Sequence, residues 1–217
     1  LIDGKEYNLS SEEEASRFFK DWTLKGYDSN SPYFRWKVTF TKDELKNTIE
    51  KNLPLTYKDQ KDYILTLNNG KYESREITEG CIGNLTNLEV IKRGDGGAIM
   101  ELVITGTKGT YKVMKELNVR YVLRPRKSDT GFDKDIVIKR IKSADIKNSS
   151  LLPSAFMVFD INRDTGGQIT DVTFYGGGYS HGVGMSQYGA GYLSSKGYSF
   201  VNILKTYYKD VSIEKLY

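Results

Sequence analysis

The residue types that could do chemistry are gathered in one segment of the sequence, residues 176–191. It contains seven glycines in sixteen positions, together with His181, the only histidine of the chain, and the polar residues Ser186 and Gln187. Such a density of glycine indicates that backbone conformation and close approach of a neighbour matter there. Imidazole, hydroxyl, amide and tyrosine groups on one turn can hydrogen-bond and stack against a polar ligand. We interpret the segment as a binding loop, the alternative being that these side chains only brace the loop.

Other glycine-rich motifs fit this segment poorly. A phosphate-binding loop needs a lysine and a hydroxyl residue after its glycines, and a dinucleotide fingerprint would need a third glycine where Gln187 stands. A nucleophile elbow needs glycine two positions after the serine, whereas Ser186 is followed by Gln187 and Tyr188. A hydrolytic pair of Ser186 with His181 as its base stays open, although no acid partner can be chosen from the 28 carboxylates.

Composition argues against metal and nucleic-acid chemistry. Zinc takes three or four ligands from His, Cys and acidic side chains, whereas His181 and the single Cys81 are solitary and a hundred residues apart. We predict no metal and no cofactor. The net charge of +4 comes from 32 basic and 28 acidic residues scattered along the chain, which is too dispersed for a nucleic-acid footprint. No nucleic-acid partner is therefore expected.

Helices are predicted on both sides of a set of strands. Ser10 opens a capping box for a helix that reaches Trp22 with one aromatic face. Thr41 and Glu44 repeat the capping-box spacing for a second helix, which Pro54 is predicted to follow directly. Near the C-terminus a glycine stop and a serine cap predict a pair of helices after the loop.

Between these helices the sequence consists mostly of short strands separated by turns rich in glycine and asparagine. A β-meander or barrel-like sheet is the natural expectation. The strand candidates alternate apolar or β-branched residues with polar ones. They are residues 33–40, 63–67, 87–91, 98–105, 110–115, 136–141, 155–161 and 169–175.

The predicted fold class is α+β, a β-rich mixed domain of antiparallel strands with a few packed helices and a C-terminal helical pair. Residues 1–217 are expected to form a single domain. Its predicted parts are a helix–strand–helix region at 1–59, a β-rich region at 60–175, and the glycine-rich loop with the C-terminal helices at 176–217. Because residue 1 is leucine, we expect the chain to be cut from a longer one.

The run from His181 to Ala190, HGVGMSQYGA, resembles the signature of the stage II sporulation protein D family, which includes the related amidase-enhancer proteins. Weaker similarity continues in the C-terminal helices, in the segment Ser31-Pro32-Tyr33, and through the strands of residues 82–123. The ten-residue run is the specific part of the resemblance, and the rest supports it.

The resemblance implies a bacterial, extracytoplasmic protein of the cell envelope with the fold of a peptidoglycan lytic transglycosylase. Such enzymes cleave the β-1,4 link after N-acetylmuramic acid without water, because the sugar's own 6-hydroxyl displaces the leaving group. One carboxyl group can act first as acid and then as base. In the family this carboxyl belongs to a glutamate in an N-terminal segment that has no counterpart here. The catalytic residue is therefore unknown.

The resemblance implies that positions of this sequence that match the family run bind glycan. Hydrogen-bonding side chains and backbone-shaping glycines come from the family run, and Tyr179, Tyr188 and Tyr192 are added because sugar rings pack well on aromatic faces. The set predicted to contact substrate is His181, Gly182, Gly184, Ser186, Gln187 and Tyr188. Expected partners are peptidoglycan glycan strands and other cell-wall hydrolases. The alternative is a non-catalytic cell-wall-binding or amidase-enhancing module.

Overall fold

The computed structural model describes residues 7–214, and the expectation about residue 1 lies outside them. Within that range the helices are α1 (Glu12–Lys20), α2 (Lys42–Asp59), α3 (Glu116–Val122), α4 (Lys127–Thr130), α5 (Gln187–Ser195) and α6 (Phe200–Tyr207). The strands are β1 (Trp36–Thr41), β2 (Ile64–Asn68), β3 (Lys71–Glu73), β4 (Leu85–Arg93), β5 (Ile99–Gly106), β6 (Thr110–Met114), β7 (Val137–Arg140), β8 (Ile146–Lys147), β9 (Met157–Arg163) and β10 (Ile169–Gly176). This is the predicted α+β fold with antiparallel strands and a C-terminal helical pair.

The strands form two five-stranded antiparallel sheets, in the orders β8-β7-β1-β10-β9 and β3-β2-β6-β5-β4. The expectation of one meander or barrel is wrong. The N-terminal strand β1 inserts between β7 and β10, so the predicted helix–strand–helix region and β-rich region share a sheet. Alternation of apolar residues identifies a strand, but it does not identify the strand's partner.

Helix α2 begins as its sequence predicts and ends later than predicted. The Thr41 side chain accepts a hydrogen bond from the Glu44 amide, and the Glu44 carboxylate accepts one from the Thr41 amide. The prediction that Pro54 follows the helix is wrong, because α2 continues to Asp59. Pro54 and Tyr57 are both buried, so packing of the helix face offsets the backbone hydrogen bond that proline removes.

Helix α1 is capped one residue later than predicted. Ser11, not Ser10, is the N-cap and accepts a hydrogen bond from the Glu14 amide. The helix ends at Lys20, before Trp22, and buries Phe18 and Phe19 against the face of β9 and β10.

The first turn of α1 is tied to the other sheet by an ion pair. The buried guanidinium of Arg93, on β4, contacts the Glu12 carboxylate with 2.7 Å between Nε and Oε2. Its Nη1 also donates to the carbonyls of Gly97 and Met157. Arg93 therefore links α1, β4 and β9, and so fixes where α1 sits.

One hydrophobic cluster spans the two sheets and helices α2 and α3. Its largest fully buried members include Trp36, Phe40, Leu102 and Phe174. Among the residues that the structure describes, none of the helices has the length and apolar composition needed to cross a bilayer.

Strand β10 is tightly packed against β1 at its last residue. Gly176 lies opposite Trp36, and a Cβ added there would be 2.2 Å from the indole Cζ2. Only glycine lets the buried indole lie across the strand at this position, and β10 then runs directly into the loop.

We expect Gly176→Ala to lower the free energy of unfolding by about 1–3 kcal/mol, because the added methyl overpacks a closed core. Urea unfolding followed by tryptophan fluorescence measures the change. Gly191→Ala is the control, since Gly191 is exposed inside α5 with nothing within 4 Å of an added Cβ. That change should be neutral or stabilising by up to about 1 kcal/mol. Equal stability of the wild type and Gly176→Ala would contradict the packing described.

Candidate functional site

A cavity of about 730 Å³ opens between the glycine-rich loop and the segment that precedes β1. Residues 177–188 form one wall, and residues 28 and 31–35 form the other. All six residues predicted to contact substrate lie along the first wall, namely His181, Gly182, Gly184, Ser186, Gln187 and Tyr188. Their role as ligand contacts stays a prediction, but the structure brings them together at one opening.

The loop is held by backbone hydrogen bonds on both sides. The Gly177 amide donates to the Phe156 carbonyl over 3.0 Å, and the Gly178 amide donates to the Tyr33 carbonyl over 2.8 Å. The Ser180 amide donates to the Pro153 carbonyl over 2.8 Å. The first half of the loop therefore has a fixed path between the segment before β9 and the segment before β1.

Two glycines of the predicted site are required by backbone geometry. Gly182 has a φ of 64°, and a Cβ there would lie 2.0 Å from the Phe156 ring. Gly184 has a φ of 93° and packs against the Tyr208 hydroxyl, which also accepts a hydrogen bond from the Met185 amide. These glycines shape the turn that carries the other side chains, as predicted for backbone-shaping positions.

His181 is exposed and hydrogen-bonds within its own turn. Its Nδ1 accepts a hydrogen bond from the Val183 amide over 2.9 Å. A neutral imidazole that accepts at Nδ1 carries its proton on Nε2, so the ring offers a donor there. This arrangement suits binding of a ligand oxygen better than removal of a proton from a serine.

Ser186 is the N-cap of α5, and its Oγ accepts a hydrogen bond from the Gly189 amide over 3.1 Å. No hydrogen bond joins the side chains of Ser186 and His181, both of which the structure describes. The hydrolytic pair is therefore disfavoured. Gln187 and Tyr188 follow in the first turn of α5 with exposed side chains.

The opposite wall contains a buried arginine that sequence reasoning missed. Arg35 is 2% exposed, and its Nη1 and Nη2 donate to the carbonyls of Phe34 and Phe18. Its Cζ lies 4.4 Å from the ring centroids of both phenylalanines. Burial lowers the pKa of the guanidinium to about 10, and the charges of Asp28 and Asp21 oppose that shift.

Asp28 is the only carboxyl group among the described residues that line the cavity. Burial raises the pKa of this carboxyl, and the positive charge of Arg35 limits the rise. Across the cavity, burial raises the pKa of the Tyr207 hydroxyl, and the charge of Asp28 adds to the effect. No motif marks Asp28 in the sequence. The sequence offers one indication: Asp28 lies just before Ser31-Pro32-Tyr33, a segment with weaker similarity to the family.

Aromatic rings line the cavity mouth. Tyr179 is 62% exposed, and its ring centroid lies 4.5 Å from that of Tyr33 on the opposite wall. Tyr192, the other tyrosine that we add as a sugar-stacking candidate, stacks on Tyr27 with 5.9 Å between centroids and lies outside the cavity lining. Between residues 7 and 214, no group of three or more His, Cys, Asp or Glu side chains is arranged to hold a metal ion.

No family model matches the chain. The chain is similar to the stage II sporulation protein D of Bacillus amyloliquefaciens, with 44% identity over 77 residues, which are 36% of this chain and 21% of that protein. The protein of the same name from Bacillus subtilis (strain 168) is 36% identical over 77 residues, again 36% of this chain and 21% of the relative. The amidase enhancer of Bacillus subtilis (strain 168) is 23% identical over 197 residues, covering 86% of this chain and 25% of the relative.

These matches confirm the resemblance to the stage II sporulation protein D family that the loop predicts. The matched regions span only about a fifth to a quarter of the length of these relatives.

We expect Ser186→Ala to lower the free energy of unfolding by about 1 kcal/mol, because the change removes a helix N-cap. Ser199→Ala is the matched control, since Ser199 caps α6 by accepting from the Asn202 amide. Chemical denaturation should show similar losses for both variants. If Ser186→Ala instead left stability unchanged and abolished an activity that Ser199→Ala retained, the capping role would be wrong and the hydrolytic role would return.

Proposed function

We propose that the cavity binds glycan strands of peptidoglycan, and that the chain is part of a lytic transglycosylase that remodels them. The observation that carries the proposal is the joining of the six loop residues with the Tyr33–Tyr179 ring pair at a single opening. The similarity to stage II sporulation protein D and to an amidase enhancer supports a role at the cell wall. An extracytoplasmic location in the cell envelope belongs to the same proposal.

The lining fits a sugar chain better than a nucleotide or a lipid. A saccharide presents hydroxyl and N-acetyl groups around apolar ring faces, and it is recognised by mixed donors and acceptors beside aromatic rings. The loop supplies the His181 Nε2–H, the Gln187 amide and the Ser186 hydroxyl. Tyr179 and Tyr188 supply exposed rings at the same opening. The cavity is open to solvent along the loop, as binding of a polymer requires.

Within this proposal the residues of the chain bind and orient the glycan. The reaction needs one carboxyl group that protonates the leaving oxygen while the sugar's 6-hydroxyl attacks the anomeric carbon. The resulting carboxylate then receives the proton of that hydroxyl, which completes the 1,6-anhydro product. We assign this carboxyl to a segment outside residues 1–217, since no glutamate here has the sequence context that the resemblance requires.

A non-catalytic module is the second candidate. The relative that covers 86% of this chain is named an amidase enhancer, which favours a domain that grips glycan or a cell-wall hydrolase without cleaving a bond. The two candidates share the cavity and differ in one outcome. A longer protein that contains this chain releases 1,6-anhydro products in the first case and none in the second.

We expect N-acetylglucosamine oligomers to shift the amide signals of residues 176–191 in a saturable way, because the loop contacts the sugar. Two-dimensional NMR titration of the chain measures these shifts. His181→Ala and Tyr179→Ala should each weaken binding severalfold, through loss of a hydrogen bond and of a ring contact. Tyr198→Ala is the matched control, since Tyr198 is 48% exposed and lies outside the cavity lining.

Glucose oligomers of the same length are the ligand control, because they lack N-acetyl groups. Shifts confined to other surfaces, or equal losses in the Tyr179 and Tyr198 variants, would move the glycan site away from this cavity. A flat titration with every saccharide would contradict glycan binding by the chain.

A further inference from the structure

We propose that Asp28 is a glycan-contacting residue, whose carboxylate accepts hydrogen bonds from hydroxyl or amide N–H groups of the bound sugar. This inference rests on the proposed function, and it identifies the wall of the cavity opposite the loop as a second binding surface. The inference also restricts which ligands can bind, because the Asp28 carboxylate accepts hydrogen bonds from donor groups and repels other carboxylates.

The geometry around Asp28 is set by consecutive turns. The Ser31 amide donates to the Asp28 carbonyl over 2.8 Å, and the Phe34 amide donates to the Ser31 carbonyl over 3.1 Å. Just before them, the Gly26 amide donates to the Ser29 hydroxyl over 2.6 Å. The Asp28 carboxylate therefore stands on a segment whose path is fixed before any ligand binds.

The Asp28 carboxylate can accept more hydrogen bonds than the described residues provide. A carboxylate can accept about four hydrogen bonds. Within residues 7–214, no side chain donates a hydrogen bond to Asp28 and no basic group lies within salt-bridge distance of it. Its backbone amide is the one hydrogen-bonding contact that acts on the carboxyl pKa. Asp28 is half-buried, so water can solvate its carboxylate, and a sugar in the cavity would replace that water with hydroxyl or amide donors.

The neighbouring charge acts on Asp28 without contacting it. The Arg35 guanidinium is closed off by Phe18 and Phe34, and both of its Nη atoms donate to backbone carbonyls. Its buried Nε is the guanidinium nitrogen that has no hydrogen-bond partner among the described residues. Burial raises the pKa of the Asp28 carboxyl, and the positive charge of Arg35 works against that rise in favour of the ionised form, the acceptor that a neutral sugar needs.

The two walls then have complementary roles. The loop presents donors and acceptors together, whereas the ionised Asp28 side chain can only accept. A sugar edge that carries hydroxyl or N-acetyl N–H donors fits against Asp28. The lactyl carboxylate of a muramic acid residue would be repelled by it and must lie elsewhere in the cavity.

The test compares binding of N-acetylglucosamine oligomers to the wild type, Asp28→Asn and Asp21→Asn by calorimetry. Asparagine keeps the size of the side chain and removes the charge. Asp28→Asn should weaken binding about tenfold or more, as expected for loss of charged hydrogen bonds. Asp21→Asn is the matched control, because its charge also acts on Arg35 while Asp21 lies outside the cavity lining. It should bind within about twofold of the wild type.

The ligand-free NMR spectrum separates contact from structure. A contacting Asp28 leaves the amide signals of residues 176–191 in place in the Asp28→Asn variant, whereas a merely structural Asp28 moves them. If the wild type binds the oligomers and Asp28→Asn binds equally well, or if both aspartate variants lose binding equally, the inference is overturned and the proposed function stands. If the wild type does not bind them, the proposed function fails, and this inference fails with it.

Discussion

The site depends on the close contact between β1 and β10 at Trp36 and Gly176. Because the Trp36 indole lies across Gly176, β10 stays paired with β1 up to the last residue of β10. The chain therefore enters the glycine-rich loop from a fixed position at the end of this strand pair. The next residue, Gly177, has no room for a side chain either, since a Cβ would lie 2.9 Å from the Phe34 carbonyl oxygen and 3.0 Å from Arg35 Nη1. Both walls of the cavity therefore start from the same strand pair, and their spacing follows from backbone packing.

Arg35 shows how a charge can have a structural role in the lining of a cavity. Its guanidinium bridges the end of α1 and the segment before β1 through two backbone carbonyls, and aromatic rings cover it. A buried cation is unfavourable without hydrogen bonds, so these carbonyl contacts and the ring faces are what make the position tolerable. The result is a positive charge held in a fixed position close to Asp28 in the cavity lining.

Features set by neighbouring residues can be predicted from the sequence, whereas features set by long-range packing cannot. The capping box at Thr41 and the serine cap of α6 depend on neighbours within a few residues, and both are as predicted. Continuation of α2 past Pro54 and insertion of β1 between β7 and β10 depend on tertiary packing, which periodicity does not encode. The loop wall of the cavity could be predicted as one group because its residues are contiguous in the sequence. Asp28 could not be predicted with them because it joins the cavity lining only through folding.

The first half of the loop is hydrogen-bonded to the carbonyls of Phe156, Tyr33 and Pro153, which belong to the rest of the fold. Its backbone has thus already given up most of its conformational freedom during folding, and a ligand has little left to order. Binding to such a surface resembles docking to a template, with affinity limited by desolvation and ligand stiffness instead of loop closure. Under the proposed glycan binding, each encounter of a long polymer with the chain would meet the same preformed shape.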